Sequence, residues 1–382
     1  MSATHTWHII TGEYPPNEGG VADYTRLVAL GLVAHGDRVH VWAPAVTDGE
    51  PVEAGVEVHR LPCGFGPRTL DALGRGLAAA GPGQLLVQYV PQGFGMRGMN
   101  LPFCVWLFER RRAGITIMFH EVAVALGWQQ SMRHNVIGAV NHAMAFALTR
   151  AARRCFVGAA GWEPRLRALA PAQADISWLP VPSNVPVVDD PPGVRALRKT
   201  LVGRGGKILG HFGTARETWI AAQLAAVVPP LLRERRNAAF LLVGRDSLDL
   251  RASVLARAPE LHARVHATGP LAPADLSRHL SACDVMLQPY TDGVSTRRGS
   301  MMAALAHRRP VVTSASAFSE PLWSQSDAVA LVNIGDVTAT GAAVAHLMDD
   351  AGERTRLGAA AGALYAERFD LPHTIAALRE GG

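Results

Sequence analysis

Gln288-Pro289-Tyr290-Thr291-Asp292-Gly293-Val294-Ser295-Thr296-Arg297-Arg298-Gly299-Ser300-Met301-Met302-Ala303-Ala304-Leu305-Ala306-His307-Arg308-Arg309-Pro310-Val311-Val312 carries the strongest architectural signal in the chain. It leaves a short apolar run at 285–288 and breaks at an Asp-Gly turn. It then resumes as an apolar helical segment over 300–306 and enters a second apolar run at 310–313. Strand, turn, helix and strand in that order predict a βα unit, and such units imply a parallel sheet. Ser295 and Thr296 stand just before the helix, where hydroxyls and backbone N–H groups can hold a phosphate. Arg297 or Arg298 can pair with that phosphate bidentately, and Asp292 is the acid nearest to it in sequence.

The same alternation extends in both directions. Toward the C-terminus another strand is predicted at 329–332. A long helix follows over 353–378, with a kink near Phe369-Asp370-Leu371-Pro372, because proline disfavours helix at the residue before it. Toward the N-terminus strands are predicted at 208–212, 239–243 and 265–268, with helices at 220–233 and 274–282. The segment 184–206 changes character. Its prolines, aspartates and glycines read as a domain boundary. Before it lies a second series. Residues 7–11 form a strand that runs into Gly12-Glu13-Tyr14-Pro15-Pro16-Asn17-Glu18-Gly19-Gly20, and a helix follows over 21–35 with Gly36 as its stop. Strands are predicted at 39–43, 85–89, 115–119, 155–157 and 176–179, and helices at 101–112 and 136–153. The expected fold class is therefore α/β, with two Rossmann-like doubly wound domains facing a cleft.

Length and charge agree with this. A chain of 382 residues exceeds what one α/β core usually supports, so two domains are expected. The net charge of +5 is mild. Arginine supplies nearly all the positive charge, and its fork suits phosphates and carboxylates. No basic run interleaved with aromatics would track a strand of nucleic acid, so no nucleic-acid partner is expected. The four cysteines, Cys63, Cys104, Cys155 and Cys283, lie far apart without zinc-like or redox spacing. Free thiols in a reducing, cytoplasmic setting are expected. No apolar run approaches the length of a membrane span.

The motifs together resemble the retaining GT-B glycosyltransferases, specifically glycosyltransferase family 4. The resemblance rests on the glycine loop 15–21 and on Phe119-His120-Glu121. It also rests on Leu179-Pro180-Val181-Pro182-Ser183-Asn184, on Gly269-Pro270-Leu271 with Ala282-Cys283-Asp284-Val285, and on 290–312. It implies an acceptor-binding domain over 1–190 and a nucleotide-sugar-binding domain over 191–365. A C-terminal helix over 366–382 would cross back to the first domain. His120, at a strand end where open sheets bind ligands, and Asp292 are the candidate catalytic groups. Gly19 and Gly20, Gly213 with Thr214 and Arg216, Arg245, and Ser295, Thr296 and Arg297 are the candidate donor- and phosphate-binding residues. Gly269 and Leu271 would hold the base. The resemblance implies transfer with retention, without metal or cofactor, the nucleoside diphosphate sugar being the donor substrate. The acidic pairs Asp189-Asp190 and Asp349-Asp350 have no partners at useful spacing, and no metal site is expected.

The sequence departs from the family's pattern in two places. The arginine and lysine that usually follow the glycine of the second domain's first loop are replaced by Thr214 and Trp219. Arg216 or Arg245 would then neutralise the leaving phosphates. The paired glutamates of the signature are replaced by Ser295 and Ala303, so donor binding must lean on hydroxyls, backbone and arginine. The acceptor is expected to be a sugar, a lipid-linked molecule or a small molecule. Residues 101–112 are apolar and end in Arg110-Arg111-Arg112, after Arg97. They read either as a peripheral contact with the anionic inner membrane face or, preferably, as a buried helix whose arginines stabilise its C-terminus. Two other functions remain open: a sugar-nucleotide epimerase on the same plan, and a non-catalytic sugar-nucleotide-binding scaffold.

Overall fold

The computed structural model describes residues 4–17, 19–46, 53–62, 64–124, 126–213 and 218–380. Its contacts divide the chain into two compact units: Met1–Pro182 with Leu371–Gly382, and Ser183–Asp370. Thr214, Arg216 and Cys63 lie outside the described residues.

The first unit is built on a seven-stranded sheet in the order β3-β2-β1-β4-β5-β6-β7. The strands are β1 (Thr6–Thr11), β2 (Arg38–Pro44), β3 (Val56–Leu61), β4 (Gln84–Tyr89), β5 (Ile115–Phe119), β6 (Ala152–Val157) and β7 (Asp175–Trp178). Every pairing is parallel. Between them run α1 (Gly20–Ala34), α2 (Pro67–Ala80), α3 (Leu101–Glu109), α4 (Met132–Ala151) and the short α5 (Glu163–Arg167). Strands buried on both faces read as continuous apolar runs, which is how Ile115–Phe119 stood out. β3 and α2 did not: β3 is an edge strand carrying Glu57, His59 and Arg60, and α2 buries only Thr69, Leu70 and Leu73. One sheet face places Trp7, Ile9, Val39 and Val41 in the core formed with α1. The other places Ile10, Val87, Ile117 and Phe119 in the core formed with α3 and α4.

The second unit holds a six-stranded sheet in the order β10-β9-β8-β11-β12-β13. Its strands are β8 (Lys207–Phe212), β9 (Ala238–Val243), β10 (Val265–Ala267), β11 (Val285–Gln288), β12 (Val311–Ala315) and β13 (Ala330–Asn333). All pair in parallel. The helices are α6 (Pro191–Val202), α7 (Thr218–Glu234), α8 (Ser247–Leu255), α9 (Pro273–Ala282), α10 (Gly299–Ala306), α11 (Leu322–Gln325), α12 (Val337–Asp349) and α13 (Ala351–Arg368). The Pro-Asp-rich boundary segment contains a helix that its composition concealed. Asp190 accepts from Gly193 N at 3.0 Å as the N-cap of α6, and Pro191 and Pro192 occupy the first helical positions, where a missing N–H costs nothing. The acidic pairs are similarly engaged. Asp190 and Asp349 meet Arg278 and Arg235, and Asp350 caps α13 through Glu353 N.

The predicted kink is a full break. α13 stops at Arg368, and a separate helix, α14 (Leu371–Arg379), begins two residues before His373 with Pro372 in its first turn. α14 belongs to the first unit and packs on α1. A Cβ placed on Gly31 of α1 would lie 2.7 Å from Ile375 Cδ1, so a glycine is what lets the two helices approach.

Candidate functional site

In a parallel sheet with helices on both faces, ligands collect outside the carboxyl ends of the strands. Each unit presents its chemistry there.

In the first unit β5 ends at Phe119 and delivers His120. Its Nε2 lies 2.8 Å from Gln88 Oε1, on neighbouring β4. An amide oxygen only accepts, so Nε2 carries the proton and donates, which leaves Nδ1 as a lone pair. Tyr24 of α1 meets the ring edge-on, with centroids 4.8 Å apart. Desolvation pushes the His120 pKa down to about 3, so the imidazole is neutral at physiological pH. Glu121 beside it is exposed.

The glycine loop is arranged differently from an open anion cradle. The Glu13 carboxylate reaches over the start of α1, and its Oε1 accepts from Val21 N and Ala22 N, both at 3.1 Å. Two first-turn donors behind Gly19 and Gly20, the N–H groups of Val21 and Ala22, are thus answered by the protein's own carboxylate. A Cβ on Gly19 would crowd that Glu13 carboxylate, which would have to shift. Gly12 likewise permits a close approach, since a Cβ on it would meet the Gly93 carbonyl at 2.5 Å.

In the second unit the stretch 288–300 forms the turn from β11 to α10. Asp292 lies between two guanidiniums, Arg297 at 2.6 Å and Arg298. Burial works to raise its pKa, but Arg298 and Arg297 outweigh that and hold the carboxyl below its ordinary value. Arg298 also lies over the Tyr290 ring, 4.9 Å from its centroid. The Tyr290 hydroxyl is 2.9 Å from Ser300 Oγ in the first turn of α10. Across from Ser300, His211 at the end of β8 donates through Nδ1 to Leu287 O at 2.8 Å, which turns the Nε2 lone pair the other way. Burial pushes its pKa to about 4. Gly213 sits between these two groups: a Cβ there would lie 3.7 Å from His211 Nε2 and 3.8 Å from Ser300 Oγ. Three buried polar atoms of this group, His211 Nε2, Ser295 Oγ and Arg298 Nε, have no hydrogen-bond partner among the described residues.

Thr296 is wholly buried, and both its N–H (3.1 Å) and its hydroxyl (2.8 Å) donate to Glu320 Oε1. Its donors are thus held within the protein, whereas the Ser295 hydroxyl is not. Glu320 also accepts from Trp323 Nε1 at 2.8 Å. Ala303 is fully buried in α10, so that position presents no group to a ribose. Arg245 is exposed after β9. Gly269, at φ +66°, donates its N–H to Ser247 Oγ at 2.8 Å. Leu271 beside it is half-buried.

Glu13, Gln88, His211 and Glu320 are the residues that reading in sequence order missed. Each acts on a partner brought near by the fold, and only Glu13, in the same loop as Gly19, had a local signal: an acid ahead of paired glycines at a helix start.

Residues 206–350 match the family model described as glycosyl transferases group 1. No curated protein sequence matches the chain. Among solved structures, sucrose-phosphate synthase from Thermosynechococcus elongatus is similar at TM-score 0.74 and 17% identity, covering 98% of each chain. Anabaena HepE in complex with UDP and glucose is similar at TM-score 0.70 and 15% identity, also covering 98% of each. WaaG, a glycosyltransferase involved in lipopolysaccharide biosynthesis, is similar at TM-score 0.68 and 15% identity, covering 98% of this chain and 100% of its own. At these identities the structural likeness speaks for the fold. The chain therefore has the GT-B fold, and within it residues 206–350 match the glycosyl transferases group 1 model.

Proposed function

We propose that the protein is a glycosyltransferase that moves a sugar from a nucleoside diphosphate sugar to an acceptor hydroxyl with retention of configuration. The observation that carries this is the polar cluster at the start of α10, in the domain that matches the group 1 family. There His211 Nε2, Ser295 Oγ and Arg298 Nε are buried without partners among the described residues, beside the Tyr290–Ser300 pair. Unanswered buried polar groups are costly, and a diphosphate sugar offers both donors and acceptors to satisfy them. In this reading Arg298, the α10 N-terminus and the Ser295 hydroxyl meet the diphosphate, while Asp292 positions Arg297 and Arg298. Gly269 and Leu271 border the base. Arg245, and Arg216 and Thr214 in the segment outside the described residues, are further donor contacts in the same proposal. Charge on the departing phosphates is met by arginine and backbone N–H groups, so no metal is required.

The bond from the anomeric carbon to the diphosphate oxygen breaks, and the acceptor oxygen bonds to the same face of that carbon. The hydroxyl proton passes to the leaving phosphate. The first unit binds the acceptor, and His120, neutral and braced by Gln88, hydrogen-bonds a sugar hydroxyl rather than exchanging protons. HepE is solved with UDP and glucose, which makes UDP-glucose the first donor to try. The experiment is a thermal-shift and turnover screen of nucleoside diphosphate sugars, followed by anomeric analysis of the product. Wild type should bind one donor class and release its nucleoside diphosphate only with acceptor, and Ser295→Ala and Arg298→Ala should lose both responses. A 2-epimer formed without acceptor would support the epimerase, and binding without turnover the scaffold.

We also propose peripheral contact with an anionic lipid surface at the cytoplasmic face. α3 is only half buried: Val105 is 52% exposed and Phe108 38%, with Met132 of α4 at 84%. Arg97, Arg111, Arg112 and Arg133, near them in sequence, are also exposed. The α3 arginines do stabilise its end, since Arg110 donates to Trp106 O and Arg111 to Phe108 O, each at 3.0 Å. An apolar face accompanied by arginine suits anionic headgroups. No helix among the described residues is long and apolar enough to cross a membrane.

A further inference from the structure

The first sheet carries a histidine cluster that plays no part in the chemistry above. It lies at the β2–β3 edge, on strands β1, β2 and β3. In the parallel register Glu57 of β3 stands opposite His40 of β2, and His59 stands opposite Trp42. Side chains two apart share a face, so Glu57 and His59 point to the same side as His40. Their polar atoms gather within reach of one another, with a different Glu57 oxygen facing each ring. His40 Nδ1 is 3.1 Å from His59 Nε2 and 3.3 Å from Glu57 Oε2, and His59 Nε2 is 3.5 Å from Glu57 Oε1.

Hydrogen bonding leaves one contact of this group unmet. A neutral pair of rings either shares one proton across the 3.1 Å gap between the nitrogens, which leaves the other ring's contact with the carboxylate unbonded, or turns both N–H groups to Glu57 and leaves that gap without a bond. A single cation takes one lone pair from each of the three residues at once. The dimensions fit one: ligands at 2.0–2.1 Å around a tetrahedral zinc ion stand about 3.3 Å apart along each edge. The N···N distance of 3.1 Å and the N···O distances of 3.3 and 3.5 Å, one to each Glu57 oxygen, bracket that value.

The rings are also held in place. His59 stacks on Trp42 with centroids 4.0 Å apart and planes 11° apart, and His40 stacks on His8 at 5.1 Å. Trp42 Nε1 donates to His8 Nδ1 at 3.4 Å, and His8 Nε2 lies 3.1 Å from Gly81 O, to which it donates. These stacks fix the planes of both imidazoles. Access is open on one side, because the Glu57 side chain is 65% exposed while those of His40 and His59 are 13% and 25% exposed.

We infer that His40, Glu57 and His59 form a binding site for a divalent transition-metal ion of the zinc class, with water as the fourth ligand. Two imidazoles and one carboxylate favour zinc and its neighbours over magnesium or calcium. The ion clamps the edge strand β3 to β2. It lies on the third residue of β2, four residues short of that strand's carboxyl end at Pro44, so it stands apart from the transfer chemistry at the strand ends. An edge strand pinned in this way is also less open to pairing with another chain.

The test uses the tag-free full chain, stripped with chelator and titrated with zinc by calorimetry and with cobalt(II) by visible absorption. Wild type should take up one ion, show the intense bands of tetrahedral cobalt, and melt at a higher temperature with zinc. His40→Ala and His59→Ala should each weaken binding at least tenfold and abolish the zinc-dependent rise in Tm. His262→Ala, an exposed histidine elsewhere, should leave both unchanged. Glu57→Gln, at an exposed position that folding does not depend on, should weaken binding and keep the chelator-treated Tm of wild type. The inference is overturned if wild type binds no zinc, or if the cluster variants bind it as wild type does.

Discussion

Glu320 is the residue whose removal should disturb the second unit most for its size. It is 6% exposed and accepts three hydrogen bonds, from Thr296 N, Thr296 Oγ1 and Trp323 Nε1, at 3.1, 2.8 and 2.8 Å. Thr296 and Trp323 are themselves 0% and 1% exposed, so Glu320→Ala leaves three donors with no access to bulk water. Each unmet buried donor costs about 1–3 kcal/mol. Relief from holding a desolvated carboxylate offsets part of this, and a water entering the vacated volume offsets more. A net loss of about 2–4 kcal/mol is expected, seen as a lower urea midpoint at unchanged slope. Glu320→Gln keeps one acceptor but turns an NH2 toward a donor, and should cost about 1–3 kcal/mol. The carboxylate also fixes the turn that presents Ser295, Arg297 and Arg298. Both variants should therefore weaken nucleoside diphosphate binding about tenfold, which corresponds to roughly 1.4 kcal/mol, although Glu320 touches no ligand in the proposed complex. Thr296→Val in the Glu320→Ala background should add little, because the two residues share their interactions. The reasoning fails if Glu320→Ala unfolds within about 0.5 kcal/mol of wild type, the range of ordinary surface changes, and binds nucleotide equally well.

Further outcomes follow from the same geometry. His211 is buried and neutral with its pKa near 4, so between about pH 6.5 and 4 the unfolded chain takes up a proton that the folded chain refuses. Stability should thus fall on acidification through that window, by on the order of 3 kcal/mol at its lower end. His211→Gln should show a visibly flatter pH dependence of the urea midpoint, and an unchanged slope would refute this account. His120, held near 3, should show no NMR titration of its ring protons from about pH 8 to 5; a midpoint near its ordinary value would mean that the ring is solvated. Gln88→Leu removes the acceptor of its Nε2 proton and should lower kcat more than it raises KM, whereas equal effects of Gln88→Leu on donor and acceptor KM with unchanged kcat would argue for a purely binding role. Val105→Ser with Phe108→Ser should reduce sedimentation with phosphatidylglycerol vesicles several-fold and leave turnover of a water-borne acceptor intact; retained sedimentation would remove α3 from the contact.

Much of the fold was legible in the sequence because its signals are local. Ala238–Val243 is apolar throughout and Ile115–Phe119 is apolar but for Thr116, as strands covered on both faces tend to be, and Gly36 at φ +85° ends α1 where its sequence suggested. β3 and α2 were not legible, since a half-exposed edge strand and a mostly solvent-facing helix carry mixed composition. α6 was hidden by the very residues that start it: Asp190 as cap and two prolines behind it look like a linker until the helix is seen. In the candidate site the cluster around 290–300 was legible as a segment, but the state of each residue was not. Nothing near Thr296 in sequence announces that Glu320 takes both its donors.

Periodicity, turn chemistry and order along the chain were enough to establish the first two of three things, and the family resemblance supplied the third. The chain makes two parallel sheets, 288–312 turns from strand to helix at one of them, and Ser295 and Ala303 stand where the resemblance leads one to look for carboxylates. Which polar groups are already answered was settled at the tertiary level. Folding closed two α1 donors with Glu13, gave Thr296 to Glu320, left His211 Nε2 and Ser295 Oγ unpartnered among the described residues, and brought His40, Glu57 and His59 to one face. Hydrogen bonds and ligand sets of this kind form between elements that are remote in sequence, and a parallel sheet sets those distances only when it assembles.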